Sequence, residues 1–334
     1  MKLQRLEVRN FRSIESEILD LGRDNVVLVG KDAQRKKAIL EAAAIAVGSL
    51  FFHFRDVNSR NIRPSDVRQV ENEKQYPVVI ACEAQYSDRH LQWTRSLEKE
   101  GGGTTIKQAS EIVHLSKEIQ DRVMGGDSLI LPAIAYYNLE NIQKKHSNIK
   151  ATRPKSRILG NACWFDAKLN NRYLWEWFKI MELIQRQNGV PRKTFIAVQS
   201  AIQNYDRHIE NIYFDLHEDK LKVKETGKGD RELGTEERDR FLCLVADLAY
   251  RLAVLNPQLE SDVVRLSPGI ILIDNMNTVF SQNELLVKLM QLTNIFTNVQ
   301  FVMSSDFSLP VLELETDIKF RMVDCSSGEY AKAA

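Results

Sequence analysis

The sequence predicts an α/β fold built on a mixed sheet, and three observations carry that reading. The chain opens with two segments of nearly alternating polarity, residues 3–8 and 15–21, the period-two pattern of half-buried strands. Three later runs, residues 25–29, 269–273 and 299–303, are almost wholly apolar, as strands covered on both faces of a sheet are. Segments of helical period, residues 38–47, 237–255 and 285–296, alternate with them.

Taken in order, residues 3–8 form a strand, Asn10-Phe11-Arg12 breaks it, and residues 15–21 resume it. The run 25–29 ends at Gly30, and the Ala-rich stretch 38–47 has high helix propensity, with Gly48 placed to stop it. Residues 78–84 and 91–93 read as a strand pair, 110–124 as a helix, and 129–137 as a buried strand. Residues 143–157 are polar and basic and read as a surface loop. Leu174, Trp177, Phe178, Met181 and Ile184 recur at helical spacing over 172–186, and 194–204 is a second helix. Residues 209–214 and 220–223 read as a hairpin. No sustained heptads appear, so a coiled-coil arm is not expected.

Composition narrows the function classes. Of 334 residues, 46 are Lys or Arg and 45 Asp or Glu, so net charge is +1 and a protein that coats DNA uniformly is not expected. Hydrophobic residues make up 43%, which excludes a largely disordered chain. No apolar stretch is long enough to span a bilayer, and residues 1–11 lack the apolar core of a signal peptide. Cys82, Cys163, Cys243 and Cys325 are scattered, the pattern of reduced thiols in a cytoplasmic protein. The six histidines are dispersed without metal spacing, and Trp164, Trp175 and Trp177 read as packing residues.

A buried strand, a glycine, a short loop with a lysine and then a helix is the layout of a phosphate-binding loop. Backbone N–H groups and a helix N-terminus cradle the anion there. The motif asks for Gly, four residues, Gly, Lys and then Ser or Thr. Gly30 and Lys36 fit; Arg35 and Lys37 stand at the second glycine and the hydroxyl. Lys31 adds a further cation. The plain alternative is a solvated basic turn, although cations at a helix start oppose its dipole.

With Asn10-Phe11-Arg12, the turn Leu233-Gly234-Thr235-Glu236-Glu237-Arg238 and the strand Ile270-Ile271-Leu272-Ile273-Asp274 in the same order, the chain resembles the ABC-type ATPase heads of the RecF/SMC/OLD kind. More narrowly it is similar to the armless AAA family ATPases of bacterial defence, such as the Septu and retron-associated ATPases. The resemblance implies an ABC-type P-loop NTPase head with an N-terminal antiparallel lobe and a helical insertion. It divides the chain at 1–140, 141–205 and 206–334, the last part holding the signature and Walker B-like strand. It also implies that Gly30, Lys31, Arg35, Lys36, Lys37, Arg12 and Glu237 face ATP, and that Asp274 would hold Mg²⁺ if the metal is retained.

The same resemblance shows what is missing. The catalytic Glu corresponds to Asn275, which cannot take a proton, and Lys37 lacks the hydroxyl that holds Mg²⁺. In the signature, Leu233 and Glu237 match while Gly234 and Glu236 replace Ser and Gly. Asn277 stands for the D-loop Asp and Asp306 for the switch His. Losing the carboxylate and the metal hydroxyl should each cost several kcal/mol of transition-state stabilisation. A degenerate ATPase is the first reading, a structural or regulatory subunit of a defence or genome-maintenance complex. It would pair as a homodimer or heterodimer through the head face, with an effector or nuclease in trans. Its site either keeps ATP on Lys36 or is filled by Arg35 or Lys37 paired with Asp274 or Glu236. An active or partner-complemented ATPase is the second reading. The third is a DNA-binding module using Lys144, Lys145, Lys150 and Arg153.

Overall fold

The computed structural model describes residues 1–22, 24–140, 156–165, 167–234, 239–308 and 320–326. The strands and helices of the first part are β1 Lys2–Phe11, β2 Ile14–Asp20, β3 Asn25–Val29, α1 Ala33–Val47, β4 Gln69–Val70, β5 Glu73–Lys74, β6 Val78–Tyr86, β7 Arg89–Leu97 and α2 Ser110–Met124. They are followed by β8 Ala133–Asn138, α3 Ala167–Asn188, α4 Lys193–Tyr205, β9 Ile209–Asp215, β10 Lys220–Glu225, β11 Gly229–Glu232 and α5 Asp239–Leu255. The last are α6 Val263–Leu266, β12 Gly269–Asp274, α7 Gln282–Ile295, β13 Val299–Ser305 and β14 Phe320–Asp324. The packing forms two compact units: Met1–Gly125 with Ile270–Asn277 and the described residues from Gln300 on, and the described residues of Gly126–Gly269 with Thr278–Val299.

In the first unit an antiparallel sheet runs β2–β1–β6–β7. Leu3, Leu6 and Val8 are all fully buried although Leu3 and Leu6 are three apart. The register against β6 shifts between Leu3 and Arg5, and this irregularity lets both leucines point inward while Arg5 stays exposed. The β1–β2 turn is two residues long, with Phe11 opposite Ile14 and Arg12 at φ +52°. A second sheet runs through this unit in the order β14–β3–β13–β12, with β3 parallel to both β13 and β14. All six residues of β12 and all seven of β13 are buried, as their apolar runs require.

Helix α1 starts at Ala33, five residues before the stretch expected from propensity. From Ala38 to Val47 every residue is buried, so it is an internal helix packed on β1, β6 and β7. Burying Ile39, Leu40, Ile45 and Val47 stabilises by roughly 1.5–3 kcal/mol each. Gly48 does not end it in a left-handed cap. Its φ is −63° and the chain continues into a 3-10 turn over Gly48–Phe51.

The second unit is mainly helical, with α3, α4 and α5 packed together and a small antiparallel sheet β11–β10–β9. Trp177 sits edge-on to Phe178, Phe195 and Tyr250 at 5.4–5.7 Å, so the aromatics of this region are core, as their spacing suggested. The strand expected over 129–137 is displaced to Ala133–Asn138. Before it, Leu131 N–H donates to Asn256 Oδ1 at 2.7 Å and Arg157 donates to Leu129 O at 2.5 Å, so side chains replace a ladder there. Arg157, grouped with the basic loop, is turned to backbone carbonyls of Asp127, Leu129 and Leu255.

Candidate nucleotide site

The strand β3 ends at Gly30 with φ +125°, a region open to glycine alone. A Cβ there would lie 2.5 Å from Ser326 Oγ and 2.9 Å from Ser326 N, so the chain after β14 packs directly against this glycine. Only Lys31 and Asp32 separate Gly30 from α1. The motif wants a four-residue loop, but here Ala33, Gln34 and Arg35 are already helical. Asp32 is the N-cap, and its Oδ1 accepts from Arg35 N–H at 2.9 Å. Such a cap contributes about 1 kcal/mol and suits the helix dipole. It also sets a carboxylate where an incoming phosphate would meet the helix start. An Asp just before a helical run is a readable cap signal, and it explains why α1 begins early.

Lys36 is 1% exposed, and its ammonium has three acceptors. It donates to Gly30 O, to Ser305 O at 2.9 Å, and to Asp306 Oδ1 at 2.5 Å. The other carboxylate oxygen of Asp306 accepts from Asn277 Nδ2 at 3.0 Å. Asn277 Oδ1 is buried and makes no hydrogen bond among the described residues. The expected alternative of Arg35 filling the site and pairing with Asp274 is corrected, and Glu236, the other expected partner, lies outside the described residues. Arg35 reaches back to Glu17 Oε2 on β2 at 3.0 Å, and Lys37 is exposed. The sequence positions of Glu17 on β2 and Arg35 on α1 gave no sign of this pairing. Lys31 is exposed too.

Asp274 closes β12 and is 1% exposed. Ser304 Oγ donates to its Oδ1 at 2.6 Å and accepts from Asn275 N–H at 2.9 Å. Asn275 sits at φ +62°, a region where Asn is among the better tolerated residues. These residues do not fit a Mg²⁺ centre of the ABC type. The hydroxyl position is the exposed ammonium of Lys37, and one oxygen of Asp274 already accepts from Ser304.

Arg12 lies in a separate cluster rather than with the loop. Its guanidinium bonds Asp66 Oδ1 at 2.8 Å and Glu41 Oε2 at 2.7 Å, and Arg60 bonds the same Glu41 at 2.5 Å. Burial opposes the charge of Arg12, but the hydrogen bonds and charges of Glu41 and Asp66 outweigh it and raise its pKa. Glu237, Lys144, Lys145, Lys150 and Arg153 lie outside the described residues. The second unit has its own cleft of about 560 Å³ between α4, α6 and α7, lined by Ile196, Asn204, Arg207, Arg265 and Gln291 among others.

No family model matches the chain. The chain is 22% identical over 385 aligned positions to a probable ATPase of retron Vc95 from Vibrio cholerae serotype O1 biovar El Tor, covering 93% of this chain and 73% of that protein. Among solved structures it is similar to an SMC head bound to the C-terminal winged-helix domain of ScpA, with a TM-score of 0.54, 13% identity, and 92% and 91% of the two chains covered. It is similar also to an SMC head with an extended coiled coil bound to the C-terminal domain of ScpA from Pyrococcus furiosus. That match has a TM-score of 0.51, 12% identity, and 91% and 89% covered. In fold, this chain is similar to the head domains of SMC proteins.

Proposed function

We propose that this chain is a catalytically degenerate ATPase-like head, a structural or regulatory subunit of a bacterial defence or genome-maintenance assembly. The observation that carries the reading is the state of the phosphate loop. Asp32 caps α1 and Lys36 is held by Gly30, Ser305 and Asp306, so the usual anion-binding groups are satisfied internally. Asn275 at the place of the catalytic Glu offers no base for an attacking water. The retron ATPase similarity supports a defence setting. By analogy with the heads it resembles, the chain would pair with a second head, and any nuclease would act in trans. No helix among the described residues is long and apolar enough to cross a membrane.

The test is Mg²⁺-dependent phosphate release from ATP, with calorimetric titration of ATP in parallel. The expected result is no release above background and weak binding. Release that disappears in Lys36→Met would overturn the reading in favour of an active ATPase, for which retention of Lys36 and Asp274 is the supporting observation. Contact with DNA through residues 143–157 rests on sequence alone, and the inward Arg157 weakens it.

A further inference from the structure

We infer that Asp306 is a built-in counter-ion of the phosphate loop, and that a phosphate-bearing ligand enters this site only by exchanging places with it. The inference rests on the loop reading above and adds the residue that sets its ligand selectivity.

Both oxygens of the Asp306 carboxylate are held by donors, Oδ1 by the Lys36 ammonium and Oδ2 by the Asn277 amide. An amide nitrogen facing that oxygen requires Asn277 to donate, which leaves its own Oδ1 buried and unmatched among the described residues. The carboxylate thus presents two oxygens to two donors, as a bound phosphate would. Lys36 has no other carboxylate partner among the described residues, and its remaining bonds go to the neutral carbonyls of Gly30 and Ser305. Asp306 is nevertheless 43% exposed, whereas Lys36 is 1% exposed. Solvent reaches the anion and not the cation, so the anion is the part that can be traded.

The chemistry selects among ligands. A competing anion must outbid a carboxylate already in place, and it meets like charge from Asp306 and Asp32 as it approaches. A singly charged anion offers Lys36 and Asn277 no more than the carboxylate it would replace, so it gains nothing by the exchange. A polyphosphate, with several charged oxygens to replace both the Lys36 and the Asn277 contacts, is the class that can displace Asp306. Removing the charge of Asp306 while keeping its shape should therefore open the site.

The experiment titrates inorganic pyrophosphate and ATP, without Mg²⁺, into the full chain and into Asp306→Asn, with folding checked by circular dichroism. Binding at least tenfold tighter in Asp306→Asn is expected, and loss of that gain in the Lys36→Met/Asp306→Asn double variant. Equal or weaker binding in the folded Asp306→Asn protein would overturn the inference. If Asp306→Asn does not fold, Asn277→Ala serves, since it releases Oδ2 alone. A gain of two- to fivefold supports the exchange and no gain refutes it. Phosphate release by the unmodified chain would sink the degenerate-ATPase reading without touching this one, so the two failures are distinguishable.

Discussion

Helix α1 carries two buried charge clusters of opposite design. Glu41 joins Arg12, Arg60 and Asp66, two cations with two carboxylates, and the side chains of Glu41 and Asp66 are 8% and 1% exposed. Lys36, five residues earlier, joins a carboxylate that is 43% exposed and two backbone carbonyls. The first cluster is balanced and closed, and it fastens the β1–β2 turn, α1 and the turn at Pro64–Asp66 to one another. The second is balanced only while Asp306 stays in place. Burying both carboxylates, with only Arg12 partly exposed at 28%, makes a fixture, and leaving the carboxylate in water makes a site whose anion can be replaced.

The comparison can be broken most directly at Asp66. Asp66→Ala leaves two guanidiniums facing one carboxylate in a buried setting, and about 3–5 kcal/mol of stability should be lost, read by urea denaturation. A loss below about 1 kcal/mol would show that the closed cluster is not a fixture. Lys36→Met should cost less, about 1–3 kcal/mol, because it strands two carbonyls while Asp306 can turn to solvent. Equal costs for the two variants would erase the distinction between the clusters.

Lys2 sharpens the contrast, since it is half-buried with only the charge of Asp24 to oppose the burial. Burial pushes its ammonium down to about 8, with Asp24 partly countering. The folded state then sheds this proton before the unfolded state does, so stability should rise as pH goes from about 8 toward 10.5. Lys2→Met should be more stable at pH 7 by about 1–2 kcal/mol and should lose that rise, as thermal melts across pH would show. Asp32→Ala has the smallest expected effect on stability, about 1 kcal/mol from the lost cap. The same change should strengthen pyrophosphate binding if the capping carboxylate repels anions, and a weaker affinity would count against that role.

Several features were legible in the sequence because they depend on local pattern. The apolar runs at β3, β12 and β13, the hairpin of β9 and β10 and the Trp177 core all follow from periodicity. Gly30 and Lys36 were legible as a half motif for the same reason. The start of α1 was misjudged because propensity favoured the alanines, while the Asp32 cap extends the helix toward Gly30. The strand at 129–137 was overextended because an apolar run does not reveal that Asn256 and Arg157 take its first backbone groups. Arg12 was expected to face ATP by resemblance, and its bonds to Glu41 and Asp66, 29 and 54 residues away, were not legible because those partners carry no motif.

By itself, the sequence determined which groups stand after Gly30 and at the end of β12: Lys37 carries no hydroxyl, and Asn275 is an amide and not a carboxylate. It also determined that α1 would be internal, because its apolar residues leave no polar face from Ala38 to Val47 apart from Glu41. Only the tertiary structure decided which anion answers Lys36. That partner is 270 residues distant, and the parallel register that sets Ser305 opposite Val29 brings Asp306 beside Gly30 at the start of α1. Sequence order fixes which charges exist. Strand register fixes which of them meet, because opposite charges stabilise one another only at contact distance and out of water.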